Sequence, residues 1–219
     1  MRGNVPNGDS KFECSFDNVA GMGVRPTRPA LRERYNRRQA EVVLGAAHVF
    51  AERGDDQTSV PELAEALGLA TGSLYHYFGS KEQLLRAICD QLMDPLLEQA
   101  EALLAEPREP AEQLRALVRL WVEHVVTHRD HMLVFQQERH VIESGAAWRG
   151  VRASRKAFER LVEDALARCR PARPDTDSDP RLALSALLGM VNHTAQWYRP
   201  RGRLSAAAIA DGYVDLLSH

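Results

Sequence analysis

No catalytic signature is found in this chain: there is no HExxH, no GxSxG, no Walker phosphate loop and no dinucleotide fingerprint. Carboxylates beside histidines, such as Glu123 with His124 and Glu138 with His140, are ordinary neighbours on charged helices, so neither an enzyme nor a cofactor is expected. Cysteine is scarce. Cys14, Cys89 and Cys169 lie far apart without CxxC spacing, which argues against a disulfide framework and for a reducing, cytoplasmic setting. No apolar run reaches the ~18 residues of a membrane span, and segments that alternate like strands are nearly missing. Nor is there an excess of one charge: the net value of −2 excludes general binding of polyanions by the whole molecule.

What remains is helical pattern, and it is most specific from Thr58 to Leu85. Ser59 with Glu62 three residues on makes a capping box, so a helix is expected from Val60. Pro61 sits in its first turn, where a missing N–H costs nothing, and Val60, Leu63, Ala64 and Leu67 share one face. Gly68 ends that helix and Leu69 is placed to plug the corner. The next helix, about Thr71 to Phe78, buries Leu74, Phe78 and part of Tyr75, leaving Thr71, Gly72, Ser73, His76 and Tyr77 outward. Short donors and acceptors near a helix N-terminus suit base edges, and aromatic hydroxyls suit phosphates. Ser80 and Gln83 form a second capping box. Lys81 then stands in a first turn, opposed to the helix dipole, where a phosphate ligand explains it better than stability does.

Upstream, a helix expected over Leu31–Glu52 carries Ala40, Val43, Leu44, Ala47 and Phe50 as its stripe. Arg25, Arg28, Arg32, Arg34, Arg37 and Arg38, relieved only by Glu33, are placed to meet phosphates or the minor groove. The first thirty residues have no periodicity, are expected to be disordered, and lack the apolar region of a signal peptide. Downstream, helices are expected at Lys81–Ala105, Pro110–Thr127, Arg129–Glu143, Ala147–Arg170, Pro180–Trp197 and Ser205–Leu217, with Pro95 kinking or breaking the first of them.

The Thr58–Leu84 segment resembles the TetR family of bacterial one-component transcriptional regulators, meeting each fixed position of T-[ST]-V-x-x-[IL]-A-x-x-x-G-[VL]-x-x-[GS]-[ST]-[LIV]-Y-x-[HY]-F-x-[ST]-K-x-x-L. Ala70 is a departure, standing where the family usually caps with Ser or Thr. The resemblance implies an all-α protein: a disordered extension over 1–30, a three-helix helix-turn-helix domain over 31–80, and a ligand-binding and dimerisation domain over 81–219. It implies phosphate contacts from Thr58, Ser59, Tyr75, Tyr77 and Lys81 and a major-groove face at Thr71, Gly72, Ser73 and His76.

The last two helices present apolar faces, Leu184, Leu188 and Val191 on one and Ile209, Tyr213 and Leu216 on the other, with Gly189 and Gly212 allowing close approach. Paired across a two-fold axis they would make a homodimer suited to a palindromic operator; an ordinary intrachain core is the alternative. An effector pocket is expected near Trp121, His124, Val125, Met132, Phe135, Gln136, Trp148, Phe158, His193, Trp197 and Arg199, residues equally suited to plain core.

The stretch Asn192–Leu217, with WYRPRGRLS, and Val134–Glu143, with VFQQE, are similar to TetR-type repressors of lipid and steroid breakdown that answer to acyl-CoA thioesters. Arg199, Arg201 and Arg203 suit CoA phosphates, and Trp197 or Tyr198 suits adenine. Two other readings stay open. Metal sensing draws on His124 and His128 at i, i+4 among His131, His140 and His193, though without paired cysteines. The other is a DNA-binding protein that has no small-molecule inducer.

Overall fold

The computed structural model of the chain describes residues 29–169 and 180–218. They form ten α-helices and a 3-10 turn, and no strand occurs among them. The expectations for Arg25, Arg28, Cys14 and the rest of residues 1–28 fall outside the described residues.

Helix α1 spans Pro29–Arg53 and buries Tyr35, Gln39, Val42, Val43, Ala46, Ala47, Val49 and Phe50. Its inward stripe is thus rotated from the expected one: Ala40 is exposed and Leu44 is 62% exposed. The cause is that two polar side chains, Tyr35 and Gln39, share the inward face, where they meet the backbone of another helix. The α1 C-terminus closes at Gly54, whose φ of +82° suits glycine and whose N–H donates to Phe50 O at 2.8 Å.

α2 (Val60–Ala66) begins as expected at the Ser59 capping box. It ends in a two-bond turn in which Leu69 N–H donates to Ala64 O at 2.8 Å and Gly68 N–H to Glu65 O at 3.0 Å. Gly68 has a φ of +63°, so this left-handed residue sets the angle at which α3 (Thr71–Phe78) leaves. Ala70 holds the N-cap position of α3 with no side-chain bond to its first turn. A missing cap of this kind costs about 1 kcal/mol.

α4 (Lys81–Ala105) starts at Ser80, whose hydroxyl accepts from Gln83 N–H at 3.2 Å. It runs through Pro95 without a break. Its apolar side from Leu84 to Ala100 serves two neighbours, α1 and α3 at one end and the larger helical body at the other. The body comprises α5 (Pro110–Thr127), α6 (Arg129–Gln137), α7 (Arg139–Ser144), α8 (Arg149–Cys169), α9 (Pro180–Trp197) and α10 (Ala206–Ser218).

Two boundaries depart from expectation. The single helix expected over Arg129–Glu143 is two, joined at Glu138, which sits at φ −87° and ψ 12° and receives a three-residue turn bond from Val141 N–H at 3.0 Å. Neither Gly nor Pro occurs there. The helix expected from Ala147 starts at Arg149, after a 3-10 turn at Ala146–Trp148 that tucks the Trp148 ring against Gly145, leaving it 0% exposed. A Cβ on Gly145 would lie 2.5 Å from that ring.

The apolar core is one continuous cluster from Val42 to Val214. α10 is fastened to α5 by ion pairs as well as by packing: Arg119 grips Asp211 with two bonds of 2.7 and 2.6 Å, and Arg115 bonds Asp215 at 2.7 Å. Among the described residues no helix is long and apolar enough to cross a membrane.

Candidate nucleic-acid interface and effector region

The α2–α3 unit is held from within by Leu63, Leu74 and Phe78, each 4% exposed or less. That anchorage turns the opposite side of α3 to solvent. Gly72 and His76 are exposed, Tyr75 is 48% exposed, and Thr71, Ser73 and Tyr77 are half-buried. Tyr75, expected partly in the core, is therefore a surface residue.

Two α1 side chains that the sequence reading did not single out fix the last turn of α3. Tyr35 Oη donates to His76 O at 3.5 Å and Gln39 Nε2 to Tyr77 O at 3.3 Å, while the Tyr35 ring lies 5.1 Å from that of Tyr77. Helix ends leave carbonyls without partners, and here a neighbouring helix supplies the donors. A polar residue on an apolar stripe was the available signal; the partner, about forty residues away, was not readable.

The other expected phosphate ligands differ from one another. Ser59 is exposed and commits its hydroxyl to Glu62, donating to Oε2 at 2.6 Å. Thr58 is 2% exposed, and its hydroxyl donates to Gly54 O at 2.7 Å, so it shapes the α1–α2 loop. Lys81 Nζ lies 2.9 Å from Asp55 Oδ1 and donates to Asp55 O at 2.7 Å, with the Phe50 ring centroid 5.9 Å away. Burial pushes the Asp55 carboxyl above its usual range, and the Lys81 bond only partly offsets that. On α1, Arg32, Arg34 and Arg37 are exposed, and Arg38 pairs with Glu41 at 2.8 Å.

The expected pocket residues divide into two places. Trp121, His124, Val125, Trp148 and Phe158 are all 5% exposed or less inside the body, with the Trp121 and Phe158 rings edge to face at 5.0 Å. Met132 and Phe135 are buried on α6. Gln136 is half-buried, whereas His193, Trp197 and Arg199 are exposed at the far end of α9 and just beyond it.

The histidines at the α5–α6 corner are packed on one another. His124 Nε2 is 2.8 Å from Leu92 O, its ring stacks on His128 at 4.2 Å, and His131 Nε2 lies 3.4 Å from Gln91 Oε1. Burial, with the neighbouring His128, lowers His124 and His131 each to about 4. Both are neutral near pH 7. Among the described residues no group of three or more His, Cys, Asp and Glu is arranged to hold a metal ion.

The expected dimer residues also divide. Val191 and Ile209 are 0% and 4% exposed within their own chain, Leu184, Leu188 and Tyr213 are half-buried, and Leu216 is 71% exposed. Tyr213 Oη is bonded to Thr194 Oγ1 at 2.8 Å. Leu182, 65% exposed, joins Leu216 on the outside, and a Cβ on Gly189 or Gly212 would meet nothing within 4 Å.

The α6–α1 seam links the body to the α1–α3 head. His48 Nδ1 lies 2.9 Å from Asp130 Oδ2, and this bond, with Glu52 adding to it, raises the imidazole above its ordinary value. Gln137 Nε2 donates to Ala51 O at 3.5 Å. Glu138 is 6% exposed, and its carboxyl is raised by burial and then by Asp55 and Asp56.

Residues 107–219 match the tetracyclin repressor-like C-terminal domain, and residues 43–88 match the bacterial regulatory proteins of the tetR family. The HTH-type transcriptional repressor KstR2 of Mycobacterium tuberculosis strain H37Rv is 28% identical over 185 residues, covering 83% of this chain and 92% of the relative. The crystal structure of the TetR family transcriptional regulator PfmR from Thermus thermophilus is similar at 31% identity and a TM-score of 0.69, covering 80% of this chain and 96% of that one. AibR, solved in complex with isovaleryl coenzyme A and operator DNA, is similar at 30% identity and a TM-score of 0.69, covering 82% and 97%.

Proposed function

The chain belongs to the TetR family of bacterial regulatory proteins, so it is a transcriptional regulator and not an enzyme, and from that premise we propose a homodimeric repressor that lets go of a palindromic operator when a hydrophobic effector, an acyl-CoA thioester, enters its C-terminal part. The reading divides the chain into a DNA-binding head over residues 31–80 and an effector and dimerisation body over 81–219. The observation that carries it is α3: short polar side chains and His76 on its outer side, a glycine-set corner before it, and two α1 side chains fastening its last turn. Within this reading Thr71, Gly72, Ser73 and His76 meet base edges, and Ser59, Tyr75, Tyr77 and the α1 arginines meet phosphates. Thr58 and Lys81 act behind them, shaping the loop from which α2 starts.

Support for the effector comes from the relatives: KstR2 is named a repressor, and AibR was solved with isovaleryl coenzyme A. The exposed Arg199, Arg201 and Arg203 after α9 offer guanidinium groups for phosphates. The test is a mobility shift of the purified protein on DNA from its own promoter region, titrated with acyl-CoA thioesters, free fatty acids and zinc. Release by CoA thioesters alone is the expected result. Release by zinc alone would move the function to metal sensing, and retention against the whole panel would remove the acyl-CoA assignment.

A further inference from the structure

Between α6 and α9 the surface opens into a cleft of about 450 Å³ walled by Arg129, Leu133, Gln136, Gln137 and Gln196. Small-molecule sites occupy volumes of that order. Its chemistry is unlike that of a seam closed by interdigitating apolar side chains: one guanidinium and three carboxamides surround a single leucine. Gln136 is committed, donating to Asn192 O at 2.7 Å and accepting from Gln196 Nε2 at 3.0 Å. The carbonyl oxygens of Gln137 and Gln196 have no donor among the described residues, and Arg129 is 48% exposed with its bond to Asp130 stretched to 3.4 Å. One residue past Gln196, α9 ends at Trp197, 44% exposed, and the chain turns into the exposed arginines at 199, 201 and 203.

Each of these groups has a matching ligand chemistry. A carboxamide pairs its donor and acceptor with the edge of adenine, a guanidinium takes phosphate, and an exposed indole offers a face on which a purine stacks. We infer that the α6–α9 cleft binds an adenine nucleotide bearing more than one phosphate, the polar end of the thioester proposed above, on which reading the inference rests. The cleft also touches the head. Gln136 and Gln137 leave the end of α6 in two directions, to Asn192 on α9 and to Ala51 on α1. An occupant that engages the Gln137 carboxamide competes with its 3.5 Å bond to α1, and so favours the arrangement in which α6 and α1 separate.

The test is titration calorimetry of the full chain with coenzyme A and with adenosine 3′,5′-bisphosphate, neither of which carries an acyl group. Both bind the wild type, and Arg129→Ala and Gln196→Leu each weaken them roughly ten-fold, the loss of one charged or paired hydrogen bond. Both side chains are at the surface and off α3, so operator binding without ligand is unchanged and reports that the variants are folded. Equal nucleotide affinity in wild type and both variants would place the site elsewhere and overturn the inference. No nucleotide binding, while acyl-CoA still releases operator, would overturn it and leave the proposed function standing. Nucleotide binding lost in the variants, without release of operator by any acyl-CoA, would keep the cleft and remove the effector reading.

Discussion

Lys81 occupies the position that the family resemblance assigns to a phosphate, yet its ammonium is held inside the protein by Asp55, whose side chain is only 12% exposed. Removing a partner from a carboxylate in that setting leaves a poorly solvated charge, which destabilises by more than the pair itself contributes. Lys81→Ala is therefore expected to lower stability by about 1–3 kcal/mol, and Lys81→Ala with Asp55→Asn to recover most of it. Chemical denaturation of the three proteins checks this. A single variant as stable as wild type would return Lys81 to the DNA. A cation opposed to a helix dipole reads as a phosphate ligand, whereas the acid that holds Lys81 lies twenty-six positions back in a loop with no pattern. Ser59, Ser80, Gly68 and the outward face of α3 were legible because caps and turns are local chemistry. Tyr35, Gln39 and Asp55 were not, because their partners are distant in the chain.

Among the elements, most helices and most of their boundaries followed from period and punctuation, with Pro110, Pro180 and Gly68 at or beside the ends they mark. The break at Glu138 was hidden. Residues 136 to 138 are good helix formers, so no local signal marks the end of α6. The α5–α6 corner supplies a pH dependence. His124 and His131, each lowered to about 4 when folded, bind fewer protons in the folded state than in the unfolded state between pH 6.5 and 4. Stability they leave intact above pH 6.5 is thus lost as pH falls toward 4. Asp90, raised to about 6 by burial and by Asp94, works the other way, since its folded form is eased by protonation. Asp55 and Glu138, raised by burial, act in the same sense as Asp90, so the histidines are read against the wild type: as pH falls from 6.5 to 5, the melting temperature of His131→Gln should fall less, or rise more, than that of the wild type. A slope unchanged by the substitution would mean that the histidine titrates alike in both states.

For the whole molecule, the proposal needs two heads, because one α3 reads one half-site and a palindrome offers two. The outer sides of α9 and α10 carry Leu182 and Leu216 among small residues, and Gly189 and Gly212 there have no occupant among the described residues to explain them. Glycine inside a helix costs roughly 0.5–1 kcal/mol relative to alanine. Retaining it where a Cβ would stand in open space fits a surface that a second copy approaches closely. Gly189→Leu and Gly212→Leu then have opposite effects at two levels: each protomer keeps or gains helix stability, while the two-fold contact loses its close approach. Sedimentation velocity should show the double variant as a monomer with an intact circular dichroism spectrum. Its operator affinity should fall, and the salt dependence of binding should flatten, since one head neutralises about half as many phosphates as two. A double variant that remains dimeric would move the interface off these helices and, with it, the geometry by which an α6–α9 ligand alters the spacing of the heads.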